Sequence, residues 1–254
     1  DYSKYMIDDP VWETSANKID LFHKEKLQAK KNWPKQEATI TAVGDVALNF
    51  AFMEEVMAKV SSKYGKEAAL KYPFKNVKNE FKGIVFCNLE APITKNSIKA
   101  FPDKDEVFYF ASPAGSEYIL KQAGFNIASL ANNHILDMGA NGLTETINHC
   151  EAAGILHVGA GANILQSRSP LRLRKGAHQI AIIARAEEEF SIATESTAGA
   201  APIDPIEDYY EITKLRKDTD GIIVILHAGN EKHPLPRPGL KQLCRFYVDI
   251  GADL

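Results

Sequence analysis

Four apolar runs in this sequence each end on a side chain able to bind a metal or carry a proton. The run ITAV leads into Gly44-Asp45, and IVFCNL leads into Glu90. NIASLA ends at Asn132-Asn133-His134, and IIVIL ends at His227, with Gly229 and Glu231 just beyond. Carboxylate, amide oxygen and imidazole are ligands for borderline divalent ions such as Zn, Mn or Fe. A carboxylate can also bridge two such ions about 3.5–4 Å apart, a pair that clamps a phosphoryl group and generates hydroxide near neutral pH. Gly44 lets backbone approach an ion closely at a sharp turn.

Taken singly, each residue has a plainer reading. Gly-Asp after a strand is usually a turn or a helix cap. Glu90 before Ala-Pro can simply be solvated, His134 can be a hydrogen-bonded structural histidine, and Asn132 or Asn133 can cap a helix. His227 after five apolar residues is harder to dismiss, because a buried imidazole needs partners. The functional reading rests on recurrence at equivalent ends of four runs.

The elements that would position these groups are set by the pattern around them. From Ala38 onward, short β-branched runs alternate with helical patterns, the signature of βα units and a largely parallel sheet. The spacing predicts strands over Ile40–Val43, Ile84–Asn88, Asn126–Leu130, Ile155–Val158, Gln179–Ala184 and Ile222–Leu226. Leu171, Leu173 and the turn Lys175-Gly176 predict a hairpin into the Gln179 strand. Ser112-Pro113 reads as a helix start that Gly124 closes, and Asp204-Pro205 as another start. Leu143, Ile147 and Cys150 form a helical stripe stopped at Gly154. Leu240, Leu243, Tyr247 and Ile250 form a second stripe, closing at Gly251. In open α/β sheets the carboxyl ends of strands form the ligand crevice, so the four chemical groups should converge.

Composition is that of a globular chain: 254 residues, 45% hydrophobic and 25% charged. A net charge of −3 gives no general attraction to nucleic acid, and the basic cluster Lys26–Lys35 is short and mixed with Gln, Asn and Pro. Cys87, Cys150 and Cys244 are too few and scattered for a disulfide framework and read as buried small hydrophobes. No run is long and apolar enough to span a bilayer, and no signal-peptide core opens the chain. Residues Asp1–Glu37 are polar and weakly periodic and read as an N-terminal extension of a domain over 38–254. Gly251-Ala-Asp-Leu254 looks like the lead-in to another buried strand, so the domain is expected to be truncated at its C-terminus. His149, His157 and His178 have structural readings. The acidic segment Ala186–Ala200 reads either as a substrate-gating loop or as a surface excursion.

These motifs also carry a resemblance. Gly44-Asp45, Asn88-Leu-Glu-Ala-Pro-Ile-Thr94, Ser129-Leu-Ala-Asn-Asn-His134 with Asp137 and Gly139, the run Gly154–Gly161, and Leu226-His-Ala-Gly-Asn-Glu231 resemble the capsule-synthesis family of CapA type. That family is named for poly-γ-glutamate capsule production and is similar in fold to calcineurin-like metallophosphoesterases. The resemblance implies an α/β sandwich of mixed sheets flanked by helices. It also implies one or two divalent metal ions held by Asp45, Glu90, Asn133 and His227, with His134 acting on the leaving group. Asn132, Glu231 and His233 would then be placed to touch substrate. The expected activity is metal-dependent hydrolysis of a phosphoester or an amide-type bond, on an anionic polymer or phosphoester, in the bacterial cell envelope or cytoplasm. The rivals are a non-catalytic component of a capsule synthesis or export complex, and a carbohydrate- or peptide-binding module without metal. Two departures stand out: Ala47 replaces the histidine expected two residues after Asp45, and the family's last histidine block would lie past Leu254.

Overall fold

A computed structural model describes residues 38–48, 51–95, 98–101 and 109–254. The expected extension over residues 1–37 lies outside these. In chain order the elements are β1 (Ile40–Val46), α1 (Ala51–Tyr64), α2 (Lys66–Lys71), β2 (Ile84–Leu89), α3 (Ser116–Ala123), β3 (Ile127–Ser129), α4 (Gly139–Ala152), β4 (Leu156–Val158) and β5 (Ala160–Gly161). Then come α5 (Ile164–Arg168), β6 (Leu171–Lys175), β7 (His178–Ala186), β8 (Gly199–Ala200), α6 (Pro205–Leu215), β9 (Gly221–His227) and α7 (Pro238–Ile250).

Two principal sheets result. The first is all parallel, in the order β1-β2-β3-β4, and the second runs β6-β7-β9. In the second sheet the β6–β7 pair is the expected antiparallel hairpin, and β9 lies parallel to β7. Period-2 alternation tells how the sheets stack. Ile180, Ile182 and Ala184 of β7, with Ile223 of β9, share one core with β2, β3, α3 and α4. The intervening Ala181, Ile183 and Ile222 face the other way, against Ile212, Leu215, Tyr247 and Ile250 of α6 and α7. The molecule is thus the α/β sandwich expected from sequence, with sheet packed on sheet and helices outside.

Every side chain of β2 is buried, as in a parallel strand covered on both faces. Behind β7 sits a charged network. Arg185, with 0% exposure, donates from Nε to Asp208 Oδ1 at 2.7 Å and pairs with Glu211. Arg168 Nη2 reaches the same Asp208 oxygen at 2.6 Å, and the Tyr247 hydroxyl donates to Asp208 Oδ2. Burial pushes the Glu211 carboxyl up against the opposing pull of the two guanidiniums.

Two local expectations are corrected. Ser112-Pro113 does not open the helix; α3 starts at Ser116, preceded by Gly115 in a left-handed conformation. Ser112 instead bridges to Ile93 and accepts from the Leu48 N–H at 3.3 Å, a use of its hydroxyl that competes with capping. Cys244 is exposed, on the solvent side of α7, whereas Cys87 and Cys150 are buried as expected. Past α7, Asp253 N–H donates to Ile222 O at 2.8 Å and Leu254 O accepts from Val224 N–H at 2.8 Å, so the last residues run alongside β9. Among the described residues no helix is long and apolar enough to cross a membrane.

Candidate functional site

The strand ends do converge. Asp45, Glu90, Asn133, His134 and His227 line one cavity of about 690 Å³, and Glu231 and His233 stand on its outer wall. Asn132 does not reach this space. It is fully buried behind it, donating from Nδ2 to Asn88 Oδ1 at 3.1 Å and to Leu89 O at 2.9 Å, while its Oδ1 accepts from the His134 N–H at 3.1 Å.

A β-bulge aims Asp45. Ala42 pairs with Phe86 but Asp45 with Asn88, so β1 spends three steps where β2 spends two, around Gly44. An extra residue flips the facing of every later side chain in the strand, and this sets Asp45 beside Asn88. Asn88 Nδ2 donates to Asp45 Oδ1 at 2.8 Å and faces His227 Nδ1 at 3.2 Å. An amide nitrogen only donates, so His227 Nδ1 accepts and Nε2 carries the proton. That Nε2–H meets Asn133 Oδ1 at 3.1 Å, and Asn133 Nδ2 donates to Glu189 Oε2 at 2.8 Å. Burial lowers the His227 pKa below its ordinary 6.5, against the opposing pull of Asp45.

The His134 ring is held from two sides. Its Nδ1 meets the fully buried Asp137 Oδ2 at 2.8 Å, and Phe110 stacks on the ring with centroids 4.1 Å apart. The Phe110 N–H also donates to Asp137 Oδ2 at 2.8 Å, fixing the carboxylate that fixes the imidazole. Burial, and then the Asp45 charge, push the Glu90 carboxyl above its ordinary 4.5.

Sequence reasoning missed three participants. Asn88 was only part of a motif, yet it joins Asp45, His227 and Asn132. Glu187 and Glu189 come from the Ala186–Ala200 segment and line the cavity. They come directly after β7, and the strand-end rule applied to that strand finds them. Glu187 Oε2 accepts from the Gly229 N–H at 2.9 Å and its other oxygen pairs with Arg237, which braces the wall formed by residues 228–237. The segment is not a bare surface excursion, since Ser191 and Ala193 are buried and Ser191 Oγ donates to Asn133 O at 2.8 Å.

Could these residues hold a metal? Among the described residues no three of His, Cys, Asp and Glu are drawn together closely enough to do so alone. The donor types nonetheless suit a divalent cation. Asp45 Oδ1 and His227 Nδ1 are 3.8 Å apart, and the repulsion between Asp45 and Glu90 is what a cation would relieve. The Asn133 amide oxygen would complete such a set.

The fold and the cavity define an α/β domain whose strand ends gather acidic, amide and imidazole groups at one crevice. The chain belongs to the bacterial capsule synthesis protein family PGA_cap, whose profile matches residues 39–254. It is 27% identical over 241 residues to the capsule biosynthesis protein CapA of Bacillus anthracis, covering 91% of this chain and 56% of that protein. It is 25% identical over 226 residues to the PGA biosynthesis protein CapA of Bacillus subtilis, covering 85% and 58%. A probable polyglutamine synthesis accessory protein of Mycobacterium tuberculosis is 29% identical over 191 residues, covering 70% and 50%. The chain therefore spans half to three-fifths of the length of these curated relatives. A solved structure described as a novel phosphatase of Mycoplasma pneumoniae aligns with TM-score 0.44 and 16% identity, over 85% of this chain and 62% of that one.

Proposed function

We propose that this domain is a metal-dependent hydrolase of capsule or poly-γ-glutamate synthesis or processing, cleaving a phosphoester or an amide-type bond. The observation that supports it most is the meeting of Asp45, Glu90, Asn133, His134 and His227 at one cavity, with His134 buttressed by Asp137 and Phe110. One divalent ion, Mn, Fe or Zn, would be held by Asp45, Glu90, Asn133 and His227, with room in the same reading for a second. Such an ion supplies a Lewis acid and a bound water of lowered pKa. The chain's own residues do the rest. Asp137 accepts from His134 Nδ1, which assigns proton transfer to the leaving group to Nε2. The Asn88 amide orients Asp45 and His227 together, and Asn132 holds Asn88. Asn132 supports substrate contact only indirectly in this reading, whereas Glu231 and His233 would meet substrate at the outer wall.

The alternative is a non-catalytic, polymer-binding component of a capsule synthesis complex. It draws on the mutual satisfaction of His227, Asn133 and Asn88 without any ion. The two part on metal content and turnover. Near-stoichiometric Mn, Fe or Zn after dialysis, with hydrolysis of a generic phosphoester that Asp45→Ala and His134→Ala both abolish, is expected of the hydrolase. No retained metal and no turnover, in this chain and in one extended past Leu254, would sink it.

A further inference from the structure

The cavity is acidic: Asp45, Glu90, Glu187, Glu189 and Glu231 all line it. The cavity's own carboxylates repel a polyanion, so any electrostatic grip that the chain's side chains supply lies outside the cavity. Helix α7 begins at the cavity wall, where Arg237 pairs with Glu187, and runs away from it. Its buried stripe is Tyr247 and Ile250, with Leu243 packed partly against the core. On the solvent side Arg237, Lys241 and Arg245 are all exposed at successive four-residue intervals. Such residues are neighbours along one face of a helix, rising about 6 Å per step.

Among the described residues α1 also carries two cations four residues apart, Lys59 and Lys63, and Lys63 forms no ion pair; the row on α7 is longer and starts at the cavity wall. Lys59 and Lys71 are each neutralised by a glutamate four residues earlier. In α7 the position four before Arg245 is another cation, and among the described residues neither Lys241 nor Arg245 forms an ion pair, even though Asp249 lies four residues further on. Lys232, at the cavity rim, is exposed as well. Unneutralised like charges in a row cost the helix stability. Their common use is electrostatic attraction of a multiply charged anion.

We infer that the row Arg237–Lys241–Arg245 is a docking track for a linear polycarboxylate, which it leads to the mouth of the cavity at Lys232 and Glu231. An extended chain of acidic units shows carboxylates on one side every ~6.6 Å, close to the ~6 Å rise between the cations. The inference rests on the anionic-polymer part of the function proposed above, and it adds where the polymer lies and which residues hold it. Arg237 also braces the cavity wall, so the separable contacts are Lys241 and Arg245.

The test is titration of fluorescently labelled polyglutamate, α-linked and γ-linked in separate arms, into the whole chain, with phosphoester turnover measured in parallel. Lys241→Glu with Arg245→Glu is expected to weaken binding by at least about tenfold, with the neutral pair Lys241→Gln and Arg245→Gln intermediate. Turnover and the thermal midpoint should stay unchanged, and wild-type binding should weaken with added salt. The control pair Lys82→Glu and Lys175→Glu lies at the opposite ends of the strands and alters net charge equally, so binding should stay within about twofold. Equal weakening by both charge-reversed pairs would overturn the track, as would absence of polyglutamate binding by the wild type. So would tighter binding of anionic vesicles or DNA than of polyglutamate. Polymer binding without turnover would sink the hydrolase reading while sparing the track; turnover without polymer binding would do the reverse.

Discussion

Asn88 carries no charge, yet its amide fixes the relation between the acid at one strand end and the imidazole at another. Its Oδ1 also takes one hydrogen of the buried Asn132 amide. Asn88→Ala should therefore cost about 1–3 kcal/mol by leaving that donor unpaired, read as a shift in urea midpoint at constant slope. An unchanged midpoint would show that water replaces the amide at no cost. The two titrating groups beside it act in opposite senses. Native Glu90 holds its proton more readily than an unfolded glutamate does, so its ionisation costs stability. That cost is absent below 4.5 and grows as pH rises through the raised value. Glu90→Gln should gain on the wild type at neutral pH and lose the advantage in acid, in thermal midpoints taken across pH. His227 is disfavoured as a cation, so its contribution is present above 6.5 and is lost as pH falls through 6.5 to the lowered value. His227→Gln should flatten that acid-side slope, and an unaltered slope would assign it to other groups.

At the scale of elements, the crossing from the first sheet to the second passes through Gly159, between β4 and β5. Its φ is +94°, and a Cβ there would lie 2.7 Å from both the Ala131 and the Ala184 Cβ atoms. Gly159→Ala combines left-handed strain with overpacking between two sheets and should cost about 3 kcal/mol, seen in thermal or chemical denaturation. A loss under about 0.5 kcal/mol would mean that the sheets part easily here. Such a crossing is hard to read from sequence, where GILHVGAG signals turns but not which surfaces press on them. The long apolar strands were legible because burial on both faces leaves continuous β-branched runs, as in β2 and β7. The bulge at Gly44 was not, since it exists only relative to the register of β2. Nor were the two-residue strands β5 and β8, which carry too few side chains for any period. Helix α3 starts later than its sequence predicts because Ser112 has the chemistry of a cap but spends it on Leu48. The acidic residues after β7 are visible as letters, but their place at the cavity depends on β7 running to Ala186, two residues past the end of its apolar run.

At the scale of the whole molecule, the candidate site is divided between the two sheets. Asp45, Glu90, Asn133 and His134 belong to strand ends of the first, whereas Glu187, Glu189 and His227 belong to strand ends of the second. The site therefore exists only while the sheets stay packed, and what packs them is the core that Ile180, Ile182 and Ile223 share with β2 and β3. The sheets should then unfold as one unit. Hydrogen exchange in rising urea should expose the amides of β2 and β9 at a common free energy, because neither sheet keeps a complete core without the other. Ile182 is fully buried at that seam and is not among the residues lining the cavity. Ile182→Ala should cost about 2–5 kcal/mol and lower the exchange free energy of both strands by the same amount. If β9 alone lost protection, the second sheet would be an independently stable layer. The meeting of His227 with Asp45 would then be a docking equilibrium, open to a ligand that bridges the two.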